Sequence, residues 1–373
     1  MNEILDFLGN SNAKKMIIEK HEIISETTVE DRKKLDIRLT VEIITETLNE
    51  TVKKVAVSEY LGKWMRDFKF NVLKPSSYDR NEKTIKYQIE PFIGDIPLDE
   101  LKTDDVQGMI NQLKDDYAFS TIKKAYDCIN ECLKFAVKRR DLSHNVAETA
   151  VLPKVMEYEE KEVKFFEDNE VELIEAESVR CYKNGKSVYR LGNMVIFLLN
   201  TGLRIGEALA LKWTDIDFEK RTVKIRKNVI MVKDRDEDAE NSYILIEQNS
   251  TKSKSGSRIV PLNTDAFNAL KRIHSLNGKR EKVLSTSKGG CMYPRNADRM
   301  FRSILKRCGL NPEGVHTLRH TFASRLFENG VDVKTVSSLL GHADVRITYD
   351  TYIHLIQAQH VTAVETLEKI SSK

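Results

Sequence analysis

Residues 314–354 read GVHTLRHTFASRLFENGVDVKTVSSLLGHADVRITYDTYIH, and histidine, arginine and tyrosine recur there at helical spacing. On a helix starting near Val315, His316 and Arg319 are i,i+3 neighbours on one side, while Leu318, Phe322 and Leu326 mark another, buried side. A second helix, Val333–Leu340, buries Val333, Val336, Leu339 and Leu340 and stops at Gly341, the residue that most readily takes a left-handed terminating conformation. His342 follows directly beyond that cap. Asp344 then caps a third helix on which Tyr349 and Tyr352 are i,i+3 neighbours. His316 and His320 are i,i+4, a spacing that can hold a metal, but the glutamate of an HExxH pair is missing and no metal site is predicted.

Working upstream, the apolar helix Leu191–Asn200 runs into TGLRIGEAL, residues 201–209. Gly202 suits a tight turn, and Arg204 and Glu207 fall i,i+3 on the helix that follows, close enough to share hydrogen bonds. Strands are predicted over Thr222–Val232, Tyr243–Glu247 and Arg258–Leu262. The loop Lys233–Asn241 after the first strand carries Asp234, Asp236, Glu237, Asp238 and Glu240. The polar tip between the other two, residues 249–257, carries Lys252 and Lys254. Helices Thr264–His274 and Arg295–Cys308 complete this half.

The preceding stretch reads as a compact all-α unit. Tyr60, Leu61, Trp64, Met65 and Phe68 make an amphipathic helix, followed by a helix at Thr84–Phe92, a turn at Gly94–Pro97 and a helix at Asp104–Leu113 capped by Thr103. Thr121–Arg140, capped by Ser120, buries Ile122, Ala125, Ile129, Leu133, Ala136 and Val137. Its basic residues Lys123, Lys124, Lys138, Arg139 and Arg140 make a solvated face able to reach phosphates. Residues 151–164, polar and containing Pro153, read as a linker, and Asp168 is the cap of the next helix. Residues 1–55 carry two periods at once: Ile37, Leu39, Val41 and Ile43 alternate as in a strand, while Leu35, Leu39, Ile43, Leu48 and Val52 step as in a helix, the reading preferred here.

Composition narrows the class of molecule. Hydrophobic residues are 40% and charged residues 31% of the 373, as in globular proteins rather than disordered ones. The longest apolar run, Met194–Leu199, is far too short to span a bilayer, and the N-terminus lacks the pattern of an export signal, so a cytoplasmic protein is expected. Cys128, Cys132, Cys181, Cys291 and Cys308 form an odd set without a CxxC pair, which argues against a disulfide framework, and Cys128 and Cys132 belong to a helix core. The net charge of +3 is unevenly divided, acidic in residues 1–52, near neutral in 53–160 and basic in 161–373. That asymmetry points to a polyanionic partner.

Taken in order, TGLRIGEALAL, a lysine-bearing hairpin before IVPL, HTLRH, LLGH and a tyrosine ten residues after His342 resemble the tyrosine recombinases, the family of phage and conjugative-transposon integrases. The match runs from Val57 to about Gln357. It implies a fold that is mainly α with a small antiparallel β-sheet in the catalytic domain. An α-helical, SAM-like core-binding domain (56–150) and a catalytic domain with a C-terminal tail helix (165–373) would clamp duplex DNA across the linker.

The implied site is Arg204 and Arg319 on the phosphate, Tyr352 as the nucleophile forming a 3′-phosphotyrosine link, His316 accepting its proton, His342 donating to the phosphate and Lys252 as general acid, with Glu207 supporting. No cofactor is required, because the phosphotyrosine preserves the energy of the broken bond. The implied partners are double-stranded recombination sites, three further copies in a tetramer joined through the tail (353–370), and a directionality factor or host DNA-bending protein. Integration or excision of a mobile element is favoured because residues 1–55 exceed the two-domain minimum. The rivals are a DNA-binding regulator that no longer cuts, a metal-dependent hydrolase using His316, His320 and His342, and a strand-nicking topoisomerase.

Overall fold

In the computed structural model the described residues are 17–29, 32–42, 54–154, 163–236, 242–249, 257–353 and 356, the first two segments as backbone only. These two segments are not helical: β1 (Ile17–Val29) and β2 (Arg32–Glu42) pair antiparallel from Val29↔Arg32 to Ile17↔Glu42, with irregularities at Ile18/Lys20 and Ile23/Ser25. Of the two periods in this region the two-residue one prevails, as its density of Ile, Val and Thr favours, since β-branched side chains suit a pleated surface better than a helix.

The first helical unit contains α1 (Val57–Trp64), α2 (Pro75–Thr84), α3 (Glu90–Ile93), α4 (Thr103–Asp116) and α5 (Phe119–Lys138). Its core joins Leu61, Trp64, Ile89, Ile93, Ile110, Leu113, Ile129 and Leu133, with Cys128 and Cys132 buried among them as free thiols. Burial pushes the Cys128 thiol up to about 12, so it is inert packing at neutral pH. Three caps differ from expectation by one or two residues: Lys102, Ala118 and Glu167 stand at N-cap positions assigned to Thr103, Ser120 and Asp168. In two of the three cases the cap is completed by an acid of the first turn, Asp105 or Glu170, bonding back to the cap N–H.

The second unit is built on α6 (Asp168–Ser178), α7 (Asn193–Leu199), α8 (Ile205–Ala210), α9 (Thr264–Asn277) and α10 (Pro294–Cys308). The predicted strand 222–232 is two strands in different sheets. β4 (Thr222–Ile225) lies between β3 (Ile216–Asp217) and β7 (Arg258–Pro261), whereas β5 (Lys227–Lys233) pairs with β6 (Tyr243–Asn249), all antiparallel. The main core, including Phe197, Leu209, Leu270, Phe301, Ile304 and Leu318, sits between the helices and the inner faces of these strands. A smaller core is shared by α11 (His316–Glu328), α12 (Val333–Leu340) and the segment after α13 (Val345–Thr351), through Ala323, Phe327, Val336, Leu340, Tyr352 and Ile356. Among the described residues no helix is long and apolar enough to cross a membrane.

The two units meet where β5 reaches α2. The Lys233 N–H donates to Asp79 (2.7 Å), and the Arg235 guanidinium bridges Asp79 (2.6 Å) and Glu82 (2.7 Å) while lying over the Tyr78 ring at 4.6 Å. The start of the acidic loop therefore clasps the first unit. The remainder of that loop, 237–241, lies outside the described residues. Arg235→Ala removes both charge-assisted bonds, an expected cost of roughly 1–3 kcal/mol of inter-unit coupling. Denaturant melts followed by separate probes in each unit check this: the variant should show two separated transitions where the parent shows coincident ones.

Candidate active site

Three separated segments, carrying Arg204, Arg258 and Arg319, converge on the carbonyl oxygens that end α12. Gly341 closes that helix in the left-handed conformation (φ 69°), as its sequence position demands, and the Asp344 side chain caps α13 by accepting from the Arg346 N–H at 2.9 Å. Arg319, 3% exposed, comes from the middle of α11. Its Nη1 donates to the carbonyl of Gly202 (2.8 Å), and its Nη2 to the carbonyl of Leu340 (2.8 Å). Gly202 is at φ 62°, and a Cβ there would meet the Phe322 ring at 2.3 Å, so only glycine offers Arg319 that carbonyl. Arg204, at the N-cap of α8, reaches the same Leu340 oxygen at a long 3.5 Å and the Glu207 carboxylate at 3.1 Å. Two arginines from distant parts of the chain are thus neighbours, one enclosed and one with a 35% exposed side chain.

Glu207, 1% exposed, is held by a residue that sequence reasoning passed over. Arg258, the first residue of β7, grips it with both ends of the guanidinium, Nη1 to Oε1 at 3.1 Å and Nη2 to Oε2 at 2.8 Å, and sends Nε to the Leu339 carbonyl at 2.7 Å. Burial would raise the Glu207 carboxyl, but the hydrogen bond and charge of Arg258, with the charge of Arg204, outweigh it and hold the pKa below the ordinary carboxylate range. Burial first, then the neighbouring Arg204, pull Arg319 down to about 9, which leaves it cationic at neutral pH. Within this cluster one carboxylate faces the guanidinia of Arg204, Arg258 and Arg319. Such an arrangement is short of anions and suited to an incoming phosphate.

A guanidinium has no acceptor, so the 2.8 Å contact between Arg319 Nη2 and His342 Nε2 makes Nε2 the acceptor. The proton is then on Nδ1, which donates to Thr348 Oγ1 at 2.7 Å. In the described geometry His342 therefore orients Arg319. Burial and the charges of Arg319 and Arg204 lower its pKa to about 4.

Tyr352 hydrogen-bonds His320 Nδ1 at 2.7 Å in the described geometry. Burial, then His316 and Arg319, bring His320 down to about 4, a neutral ring able to accept. Tyr352 itself is 1% exposed against Phe327, and burial raises its pKa. His316 is exposed, stacked edge-on against His320 with ring centroids 4.8 Å apart, and its pKa is lowered by desolvation and by Arg319 and Arg204. With His320 turned to a tyrosine and His342 to a guanidinium, this geometry does not make a three-histidine metal site. Among the described residues no group of three His, Cys, Asp or Glu is placed to hold an ion.

Histidines whose folded pKa lies below the unfolded value of about 6.5 bind fewer protons folded than unfolded. Their contribution to stability is whole above pH 6.5 and is lost as pH falls toward 4. Thermal melts should accordingly show the melting temperature dropping across that window. His320→Gln and His342→Gln should each flatten the drop; a parent profile level from pH 6.5 to 4 contradicts the assignment.

The residues read from sequence are otherwise distributed as follows. Lys252 lies outside the described residues, as does Lys254. Lys123 is paired with Asp127 (2.8 Å) and Arg139 with Asp141 (3.0 Å), while Lys124, Lys138 and Arg140 are exposed; all five belong to α5 or its C-terminal end and stand apart from the arginine cluster. Arg258, His320 and Thr348 were the residues missed. His320 has a signal in the sequence, its place directly after Arg319. Arg258 opens a strand, where an arginine has no local reason to turn inward.

A model of the phage integrase family matches residues 164–359, and one of the phage integrase N-terminal SAM-like domain matches residues 56–114. The chain is 30% identical over 343 residues to a protein described as tyrosine recombinase XerC-like from Caldanaerobacter subterraneus subsp. tengcongensis, covering 87% of this chain and 85% of that one. Its fold is like that of the Tn1549 transposon integrase in complex with a circular intermediate DNA (TM-score 0.65, 19% identity, 83% of this chain and 99% of that one). It is also like lambda integrase in a tetramer bound to a Holliday junction (TM-score 0.59, 18% identity, 80% and 78%).

Proposed function

Because the chain belongs to the phage integrase family, we propose that it cleaves and rejoins DNA at specific sites through a 3′-phosphotyrosine at Tyr352, and so integrates or excises a mobile element. The observation that carries this is the meeting of Arg204 and Arg319 on the Leu340 carbonyl, with His342 on Arg319 and Tyr352 on the same α11 through His320. Tyr352 Oη attacks the scissile phosphorus, its proton passing to His316 once the tyrosine has left its resting contact with His320, and the bond from phosphorus to the 5′-oxygen breaks. Lys252 protonates that oxygen. Rejoining runs the steps in reverse, with the 5′-hydroxyl as nucleophile and no nucleotide consumed.

Charge gathers on the two non-bridging oxygens in the transition state, and Arg204 and Arg319 supply preorganised donors there. His316, exposed beside both, faces the phosphate. The tyrosine as described is at rest, since a side chain 1% exposed must leave its core to reach DNA. Activation then means withdrawing Tyr352 from the core it shares with Phe327, Val336 and Leu340.

Residues 56–150 form the core-binding domain, 151–164 the linker and 165–373 the catalytic domain, a division supported by the two separate cores. Lys123, Lys124, Lys138, Arg139 and Arg140 contact backbone phosphates. The protein acts in the cytoplasm as a tetramer on two duplexes, with the tail packing on a neighbouring copy; lambda integrase, which is similar in fold, forms a tetramer bound to a Holliday junction. The exposed Val345, Ile347, Tyr349 and Ile353 around the nucleophile support such a contact. A directionality factor or DNA-bending protein assists.

The test is covalent trapping on a nicked duplex carrying the element's attachment site, in the presence of EDTA. A protein–DNA adduct that forms undiminished and is linked at the 3′ end is expected. Site binding without any adduct would favour a regulator, cleavage abolished by EDTA a hydrolase, and supercoil relaxation without site preference a topoisomerase.

A further inference from the structure

We infer that Arg258 is a positioning residue for strand cleavage: it engages the Glu207 carboxylate on both oxygens and thereby leaves the guanidinium of Arg204 open to a DNA phosphate. This rests on the recombinase reading above. Glu207 is a buried anion that must be paired. Each of its oxygens is met by one Nη of Arg258, at 3.1 and 2.8 Å, in the fork-to-fork geometry that is the strongest pairing for a carboxylate. Arg204 is left with the weaker claim, a single Nη1 contact to Oε1 at 3.1 Å beside its own backbone N–H on Oε2.

Exposure divides the two arginines in the same way. The Arg258 side chain is 7% exposed and that of Arg204 35%. Arg258 is also fixed at its third corner, with Nε on the Leu339 carbonyl, and the Gly341 turn packs so closely on its guanidinium that a Cβ there would lie 2.6 Å from Nη1. It therefore cannot reach a substrate, but it decides which cation neutralises Glu207. Without it, the carboxylate's nearest alternative is Arg204, and a phosphate would then have to compete with a buried anion for that fork. Because Leu339 and Gly341 lead directly into His342, the same grip sets the base of the element that orients Arg319.

The experiment compares single-turnover adduct formation by the full chain and its Arg258→Met, Glu207→Gln, Arg258→Met/Glu207→Gln and Arg258→Lys variants on the nicked attachment-site duplex. Arg258→Met is expected to slow cleavage about 100-fold or more, the scale of losing one preorganised oxyanion donor. Adding Glu207→Gln, which removes the anion that captures Arg204, should restore at least about tenfold. A second readout uses a neutral methylphosphonate at the scissile position, where less charge needs neutralising and the Arg258→Met defect should shrink.

A double variant as slow as Arg258→Met, or a defect equal on phosphate and methylphosphonate, overturns the inference and leaves only a structural role. Should Arg258→Met fail to fold, Arg258→Lys decides. It keeps the charge but not the fork, and it should be slowed on phosphate and relieved by Glu207→Gln; unrelieved slowing, or none, counts against the inference. If the parent protein forms no adduct, the recombinase reading itself falls, an outcome separable from all of these.

Discussion

Tyr352→Phe is expected to abolish covalent attachment to DNA while leaving the fold and site binding nearly intact. The ring is 1% exposed, packed on Phe327 in the small core with Val336, Leu340 and Ile356, and phenylalanine fills the same space. Only the hydroxyl and its 2.7 Å bond to His320 are lost. A bond of that kind contributes about 0.5–1.5 kcal/mol to stability, and His320, half-buried, can turn to water instead. Chemistry is affected far more, because a covalent intermediate cannot form without its nucleophile. Tyr349→Phe is the control: Tyr349 is 40% exposed one turn earlier, and its loss should change adduct formation by less than about threefold if it takes no part in transition-state charge. Gel analysis of both variants on the nicked duplex, with melting curves, checks the pair.

The second large effect is expected at Arg319. Arg319→Lys keeps a positive charge but cannot span the carbonyls of Gly202 and Leu340 and His342 Nε2 at once. Leaving buried carbonyls without a donor costs roughly 1–3 kcal/mol each, so a drop in melting temperature should accompany the variant. Cleavage should fall about 100- to 1,000-fold, the scale of losing a preorganised donor to the transition state. The two losses can be told apart by DNA binding. Retained affinity with a lost rate places the defect in the chemistry, whereas loss of both in proportion makes Arg319 a packing residue and counts against the role assigned to it.

Much of this arrangement is legible in the chain because helices announce their buried faces. The stripe Ile122, Ala125, Ile129, Leu133 is the core of α5, Gly341 does end α12 with positive φ, and Asp344 does cap α13. Local physics fixes each of these. The residues 17–42 misled because Leu39 serves both a helical and a strand period, and only pairing with another strand decides between them.

The site was legible as a set of residues and not as a set of contacts. Arg204, Arg319, His342 and Tyr352 were named from motif spacing, but nothing in spacing tells which nitrogen of His342 carries a proton, or that Tyr352 would turn to His320. Those follow from the Leu340 carbonyl, Thr348 and the fold of α13, all tertiary features. Arg258 was invisible for the same reason. Its partner Glu207 lies 51 positions away, and a buried arginine in a strand has no local signature. The clasp of Arg235 on Asp79 and Glu82 is a third case, an ordinary-looking cation in an acidic loop given its meaning by a helix of the other unit.

The most direct measurement of the central claim is mass spectrometry of the peptide left attached to DNA after trapping on the nicked attachment-site duplex and proteolysis. One adduct is expected, in the peptide containing Tyr352, joined through its phenolic oxygen to a 3′-phosphate. An adduct at Tyr349 or any other residue, or a linkage to the 5′ end, would contradict it.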